Sequence, residues 1–558
     1  MQIKTEADRA AYLTVLQSAD VTAALVEGLP DYISPLLAPV LTEGGEPRRY
    51  SRPDKTFDTY NAWSHQASLR AATPTSDLLR GLKCVIKDNI SIAGLPYTCG
   101  TFPQIASPKD GKYPVPQIDA VIVKRLLEAG ATIVGTSTCE NYSLTPMSYT
   151  SANGPVHNPW LRGYNAGGSS SGSACLLGLK QALQAGVEGL DSIGELPDAA
   201  MGGDQAGSIR LPASYCGLYG LKPTHGLVPY TGIAGLHPMI DYTGPMANNV
   251  DDIARMLTVL AGYDGLDPRM TPESPLRENV KQYHSELEAF TSRKQDKTDL
   301  GKGMRVGIIS ESLTSPGTSA EVASLVEAAA KKCFAQAGAT VELVSVPMHL
   351  LAPSIWTAAT RTHMASLTAA GRVPDLLSHS MPHWNPRWPL DQEMFDLMTV
   401  ANPAVINIIF GETLLSEKYS GASQAKAYRH VLQLREAYNK ALETYDVLIT
   451  PTCPTVAPPH PDLGPNMSGI MDKMRIAVGS TNNTCPFNAS QHPAMSIPCG
   501  WARAAGAAGF AGSKGQEGWL PVGMQVIGKK WDEMTVLKAA KVFEAGGGGL
   551  GTWPGRIE

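Results

Sequence analysis

Gly167-Gly168-Ser169-Ser170-Ser171-Gly172-Ser173-Ala174 and, further on, Gly202-Gly203-Asp204-Gln205-Ala206-Gly207-Ser208-Ile209-Arg210 form the stretch that decides how this chain is read. Glycines let a backbone turn sharply and aim consecutive N–H groups at one point, and a serine set in such a turn can be presented as a nucleophile. Two serine-bearing glycine turns in one segment suggest acyl-transfer chemistry. Alone, the first turn has the composition of a flexible loop. It fits G-x-S-x-G through Gly168, Ser170 and Gly172, but a nucleophile elbow follows directly on a strand. Here His157-Asn158-Pro159-Trp160 and Arg162-Gly163-Tyr164-Asn165 precede it and read as loop. A phosphate-binding loop would continue into Gly-Lys-Ser/Thr, and no lysine follows. What lifts the stretch is an upstream segment, Val85-Ile86-Lys87-Asp88-Asn89-Ile90, a short apolar strand running into a lysine.

Taken in order, the Lys87-Asp88-Asn89-Ile90 strand end and the two glycine turns resemble the amidase signature family of serine hydrolases. The resemblance runs from about Gly81 to about Glu544. It includes Cys216-Gly217-Leu218-Tyr219-Gly220-Leu221-Lys222-Pro223-Thr224, Asp446-Val447-Leu448-Ile449-Thr450-Pro451, His492-Pro493-Ala494-Met495-Ser496-Ile497-Pro498-Cys499-Gly500 and Leu520-Pro521-Val522-Gly523-Met524-Gln525. Residue by residue, the resemblance implies Lys87 as catalytic lysine, Ser169 as a bridging serine after a cis peptide bond, and Ser208 as the acylated nucleophile. It implies an oxyanion hole from the backbone N–H groups of Gln205, Ala206, Gly207 and Ser208. It also implies substrate contacts at Ser143 and Gly168, and structural roles for Asp204 and Arg210 at the nucleophile turn.

The chemistry has a physical requirement. A lysine serves as base only when neutral, and an ordinary lysine titrates near ~10.4, so work near neutrality needs a lowering worth roughly 4 kcal/mol. Burial supplies shifts of that size, which accounts for a lysine at the end of apolar Cys84-Val85-Ile86. Each residue also has a plainer reading: Lys87 as a surface strand-end lysine, Ser169 as a loop residue, Ser208 as a helix cap. The chain departs from the family pattern at Gln205-Ala206-Gly207-Ser208, where Thr-Gly-Gly-Ser is common, and glutamine there resembles a branch acting on simple amides. Lys180 to Ala200 reads as a surface insertion between the two serines.

The rest of the chain sets the frame. Hydrophobic residues are 43% and charged residues 17% of the 558, too apolar for a disordered chain. A formal net charge of −5 gives no case for nucleic acid or an anionic membrane as partner. The N-terminus lacks the apolar core of a signal peptide, and no run reaches transmembrane length, so a cytoplasmic protein is expected. Nine cysteines without a C-x-x-C pair read as free, mostly buried thiols. His379 and His383 have the spacing of helical metal ligands, but Pro382 between them spoils the helix, and no metal or cofactor is expected. The Gly546-to-Gly551 run reads as a flexible terminus, not a dinucleotide turn.

Residues 1 to 75 are read as a helical N-terminal extension, with Ala10, Leu13, Leu16, Val21, Ala24 and Leu25 approximating an apolar stripe. Residues 76 to 558 are read as one catalytic α/β domain. Its expected elements are strands at Cys84 to Ile86, Thr132 to Gly135, Met304 to Ile309 and Thr340 to Val346, with helices at Ala120 to Ala129, Val250 to Ala261 and Ala320 to Ala337. About 350–440 reads as mainly helical, and its run from Trp356 and Met364 to Met398 and Phe410 has the pattern of core; the resemblance makes this region wall the acyl pocket. The fold class expected is α/β, a large mixed sheet sandwiched between helices. The expected function is hydrolysis of a small-molecule carboxamide, with carbamate hydrolysis by the same residues as an alternative. Membership of a tRNA-dependent amidotransferase complex is a reading from another class, and the resemblance suggests a homodimer.

Overall fold

The computed structural model describes residues 3–107, 110–190, 194–292, 297–371, 381–463, 469–504 and 518–555. The chain divides into two compact units, Met1–Ala38 and Pro39–Glu558. The first is built on the helix Glu6–Glu27, whose N-cap Thr5 accepts a hydrogen bond from the Asp8 N–H. Leu13, Leu16, Val21 and Leu25 of its expected stripe are all exposed. Among the described residues, no helix is long and apolar enough to cross a membrane.

The second unit is organised by one sheet of twelve strands among the described residues. In chain order these are β1 (Tyr50–Ser51), β2 (Trp63–Leu69), β3 (Lys83–Lys87), β4 (Thr132–Ser137), β5 (Ala199–Asp204) and β6 (Tyr219–Lys222). They continue as β7 (Tyr242–Ala247), β8 (Arg305–Ile309), β9 (Thr340–Val344), β10 (Val447–Pro451), β11 (Ala494–Arg503) and β12 (Trp519–Ile527). Across the sheet the order is β1-β2-β4-β3-β5-β7-β6-β11-β12-β10-β8-β9. The sheet is mixed: β3 runs parallel to β4 and β5, and β8 parallel to β9 and β10, while the remaining pairs are antiparallel.

Side chains on a strand alternate between faces, so a strand buried along its whole length is covered on both. Every residue of β5, β7 and β10 is buried, as is Cys84 to Lys87 of β3. The helix Ser171–Gln184 packs on β3, β4, β5 and β7, and Val250–Leu260 on β6 and β7. Ala320–Gln336 and Glu533–Ala545 pack on strands of the other half. Ser171–Gln184 approaches the sheet so closely at its first turn that a Cβ on Gly172 would meet the Ala62 carbonyl and the Thr138 backbone.

The expected strands and helices of the α/β pattern are found within two residues of their expected ends. The 350–440 region is helical at Ala352–Thr360, Met364–Thr368, Gln392–Ala401, Pro403–Lys418 and Gly421–Thr444. Three readings need correction. Residues 1–75 are not helical throughout, because β1 and β2 lie there and β2 pairs with β4 through Trp63 opposite Ser137. Lys180 to Ala200 is not wholly an insertion: the preceding helix runs to Gln184 and β5 begins at Ala199, while residues 191–193 lie outside the described part. Lys180 and Lys83 pair with Asp198 and Glu195, tying this connection to the sheet. The Gly546 run is no loose tail either, since Leu550 within it and Trp553 just beyond it pack on the core. His379 lies outside the described residues.

Candidate active site

β3 delivers Lys87 into the interior. Its Nζ is fully buried and donates a hydrogen bond to Ser169 Oγ at 2.8 Å. Taking an ammonium out of water disfavours its charge, so burial pushes Lys87 below the ordinary lysine value, against the opposing pull of Asp204 and Glu140 among its neighbours. Ser169 stands after a cis Gly168–Ser169 peptide bond. Ser170, next along, has its hydroxyl committed: it donates to the Gly203 carbonyl at 3.2 Å and accepts from the Gly203 N–H at 3.3 Å. That clasp fastens the first glycine turn to β5 and leaves the elbow reading of Ser170 without a free hydroxyl. It also sets Gly203 beside the lysine, since a Cβ built on Gly203 would lie 3.6 Å from Lys87 Nζ.

Beyond β5 the chain turns through Gln205, Ala206, Gly207 and Ser208. Among the described residues none of these four backbone N–H groups donates to a protein acceptor, and the Ser208 hydroxyl has no hydrogen-bond partner. The carbonyls of the same turn are held: Trp356 Nε1 donates to Gln205 O at 3.1 Å, Thr484 Oγ1 to Ala206 O at 2.6 Å, and the Leu211 N–H to Gly207 O at 2.7 Å. Pinning the carbonyls from behind leaves the N–H groups free for a ligand. Gly207 sits at φ +143°, in the region that favours glycine, and a Cβ there would run into the Thr484 side chain.

Asp204 and Arg210 brace the turn. Arg210 Nη2 meets Asp204 Oδ1 at 2.8 Å and its Nε meets Oδ2 at 3.0 Å, both side chains being fully buried. The remaining guanidinium N–H groups reach Thr484 O at 2.9 Å, Gln525 Oε1 at 2.6 Å and Asn488 Oδ1 at 2.6 Å. Burial raises the Asp204 carboxyl, but the Arg210 charge, its hydrogen bonds and that of Asn488 outweigh it and hold the group at about 2. Glu140 braces the other turn, accepting from Ser171 Oγ at 2.7 Å and from the Thr150 N–H and Oγ1 at 2.7 Å each.

A cavity of about 320 Å³ opens over Ser208, Gln205, Ala206 and Ser143. Ser143 has φ +55°, and its buried hydroxyl has no partner among the described residues. Trp356, of the expected helical run, lines the cavity, while Met394 and Met398 are core and Phe410 is exposed. Lys87, Ser169, Gly207 and Gly168 do not line it, and Gly168 packs against the Met147 and Thr145 carbonyls. A wider groove of about 580 Å³ lies elsewhere. Its arginines, Arg125 and Arg277, are spent on the carbonyls that end Val250–Leu260. Sequence reading did not find the bracing roles of Thr484, Asn488, Gln525 or Glu140. For Thr484, Asn488 and Gln525 the signal is a contact between segments far apart in the chain, which no local pattern carries, and for Glu140 it is a contact with residues 10 and 31 positions away.

Known proteins resemble this chain over most of its length. The family model described as Amidase matches residues 55–537. An enantioselective amidase of Rhodococcus rhodochrous is 33% identical over 514 residues, 90% of this chain and 86% of that protein. The A component of the glutamyl-tRNA(Gln) amidotransferase of Methanosarcina mazei is 31% identical over 466 residues, covering 84% of each. The crystal structure of the corresponding component from Thermotoga maritima superposes with a TM-score of 0.60 at 26% identity, over 83% of each chain.

Proposed function

Because the chain belongs to the amidase family of hydrolases, we propose that it acts alone on a small carboxamide, with Ser208 as nucleophile, Ser169 as proton relay and Lys87 as base. The observation that supports this most directly is the buried 2.8 Å hydrogen bond from Lys87 Nζ to Ser169 Oγ, beside a turn whose backbone N–H groups are unspent. On this reading neutral Lys87 takes the Ser169 proton as Ser169 takes that of Ser208. The freed Ser208 Oγ bonds to the amide carbon, and the developing oxyanion is met by N–H groups of Gln205 to Ser208. The carbon–nitrogen bond then breaks as the proton returns through Ser169 to the leaving nitrogen, releasing ammonia or an amine. Water hydrolyses the acyl-enzyme by the same relay and restores the hydroxyl of Ser208.

The likeness to the A components of amidotransferases supports a second reading, in which the ammonia passes to a partner protein. One experiment separates them. The purified protein is treated with a fluorophosphonate and its intact mass measured, alongside Ser208→Ala and Lys87→Ala, and turnover of acetamide, benzamide, ethyl carbamate and glutamine is assayed. A single adduct lost in Ser208→Ala and slowed in Lys87→Ala, with turnover of a simple amide, is the expected result. An adduct that survives in Ser208→Ala overturns the assignment. Glutamine turnover that requires added partner proteins and tRNA overturns the stand-alone reading.

A further inference from the structure

The helix Ala352–Thr360 is tied to the nucleophile turn by the Trp356 Nε1 hydrogen bond to Gln205 O at 3.1 Å. Arg361 follows at its C-terminal end, one turn beyond Thr357, and side chains four apart lie on one helix face. Both line the cavity that holds Ser208. Arg361 is the one charged side chain among the described residues that line it, and no carboxylate does.

An arginine at a helix end ordinarily bonds the last carbonyls of its helix or a nearby acid. Arg361 does neither: its guanidinium has no hydrogen bond or ion pair among the described residues. The acid nearest in sequence on the neighbouring helix, Glu412, is already taken, accepting from the Ala365 N–H at 2.7 Å, the Ser366 N–H at 3.0 Å and the Ser366 hydroxyl. The Arg361 stem is held in place, with Cγ and Cδ 3.5 and 3.4 Å from where a Cβ on Gly411 would stand. Burial lowers the guanidinium below the ordinary arginine value, as expected of a cation that has lost water and gained no partner. The rest of the wall is largely apolar, with Leu144, Leu236, Trp356 and Ile408.

We propose that Arg361 is a specificity-determining residue, and that the favoured substrate is an amide with an apolar aryl or alkyl body ending in a carboxylate that the guanidinium binds through its paired N–H groups. The planar fork of arginine matches a carboxylate in two parallel hydrogen bonds, and a desolvated pair of this kind discriminates strongly against a neutral ligand. This inference rests on the reading of the cavity as the amide site, and its test keeps the two apart.

Two substrate pairs serve: 4-carbamoylbenzoate against 4-methylbenzamide, and glutaramate against pentanamide. In the wild type the charged member of at least one pair has the higher kcat/KM, by roughly 10- to 100-fold and mainly through KM. Arg361→Gln abolishes that advantage while kcat and KM for the neutral member stay within about threefold, and Arg361→Lys, which keeps the charge and loses the fork, falls between. No preference for the charged member in either pair overturns the proposal, as does a loss in Arg361→Gln that is equal for both members. Calorimetric binding of 4-carbamoylbenzoate, 4-methylbenzamide, glutaramate and pentanamide to Ser208→Ala protein needs no turnover. Tighter binding of a carboxylate-bearing amide than of its neutral counterpart, lost when Arg361→Gln is added, supports the arginine even where no amide is hydrolysed, in which case the amidase reading alone falls. Equal binding of the charged and neutral members of both pairs overturns the arginine role whatever the turnover.

Discussion

A lysine serves as a base only without its proton, and the burial of Lys87 favours the neutral form. Since burial lowers its titration, activity should rise with pH along a limb centred below the ordinary lysine value, protonated enzyme being inactive on the low side. A kcat/KM profile against pH checks this; a limb at the ordinary lysine position would contradict it. Lys87→Ala should lower kcat by roughly 10² to 10⁴, the usual range for a general base. Gly207→Ala should cost on the order of 10² in kcat, because relieving the clash with Thr484 and the positive φ re-aims one N–H of the turn. Retained kcat would show that the turn's N–H groups do no work. The meeting of Lys87 with Ser169 and the unspent turn that ends at Ser208 were legible in the sequence because each residue sits in a short local motif. Arg361 was not, because what marks it is a missing partner in three dimensions.

At the scale of the element, the end of β5 and the turn after it stand or fall with the Asp204–Arg210 pair. Asp204→Asn leaves a buried guanidinium short of its counter-charge and should destabilise the protein by about 3 to 5 kcal/mol, read from urea unfolding. The wild-type pair has a pH signature. A carboxyl held at about 2 when folded is depressed relative to the unfolded chain, so its contribution is complete above about 4 and is lost as pH falls towards 2. Asp204→Asn should remove that component of acid unfolding between those limits. Strand β3 was legible because Cys84-Val85-Ile86 is apolar with two β-branched residues, and helix Ala320–Gln336 because its ends and length are conventional. Strand β2 was hidden: Trp63, Ala67 and Leu69 alternate with Ser64, Gln66 and Ser68, but His65 interrupts the apolar face, and pairing with β1 and β4 makes it a strand.

For the whole molecule, all nine cysteines are free and buried. A thiol reagent should therefore label none quickly in the native protein and nine after denaturation, and reductant should leave the melting temperature unchanged; rapid native labelling would mean that the interior opens. The Glu6–Glu27 helix buries none of its residues, and the second unit has its own core, so a chain starting at Pro39 should fold and keep wild-type kcat/KM on any amide the full chain hydrolyses. Loss of folding in that truncation would contradict the division. The mixed sheet was legible from alternating elements, but its strand order was not, since β10 and β12 are set together by long-range pairing alone.

The groups that steady Arg210 come late in the chain, from Thr484, Asn488 and Gln525. A polypeptide emerging from the ribosome thus carries Lys87, Ser169 and Ser208 long before it holds the groups that fix the turn between Asp204 and Arg210. Half-made or prematurely terminated products would display Ser169 and Ser208 without the groups that hold this turn, so its geometry is completed only once Gln525 has been made.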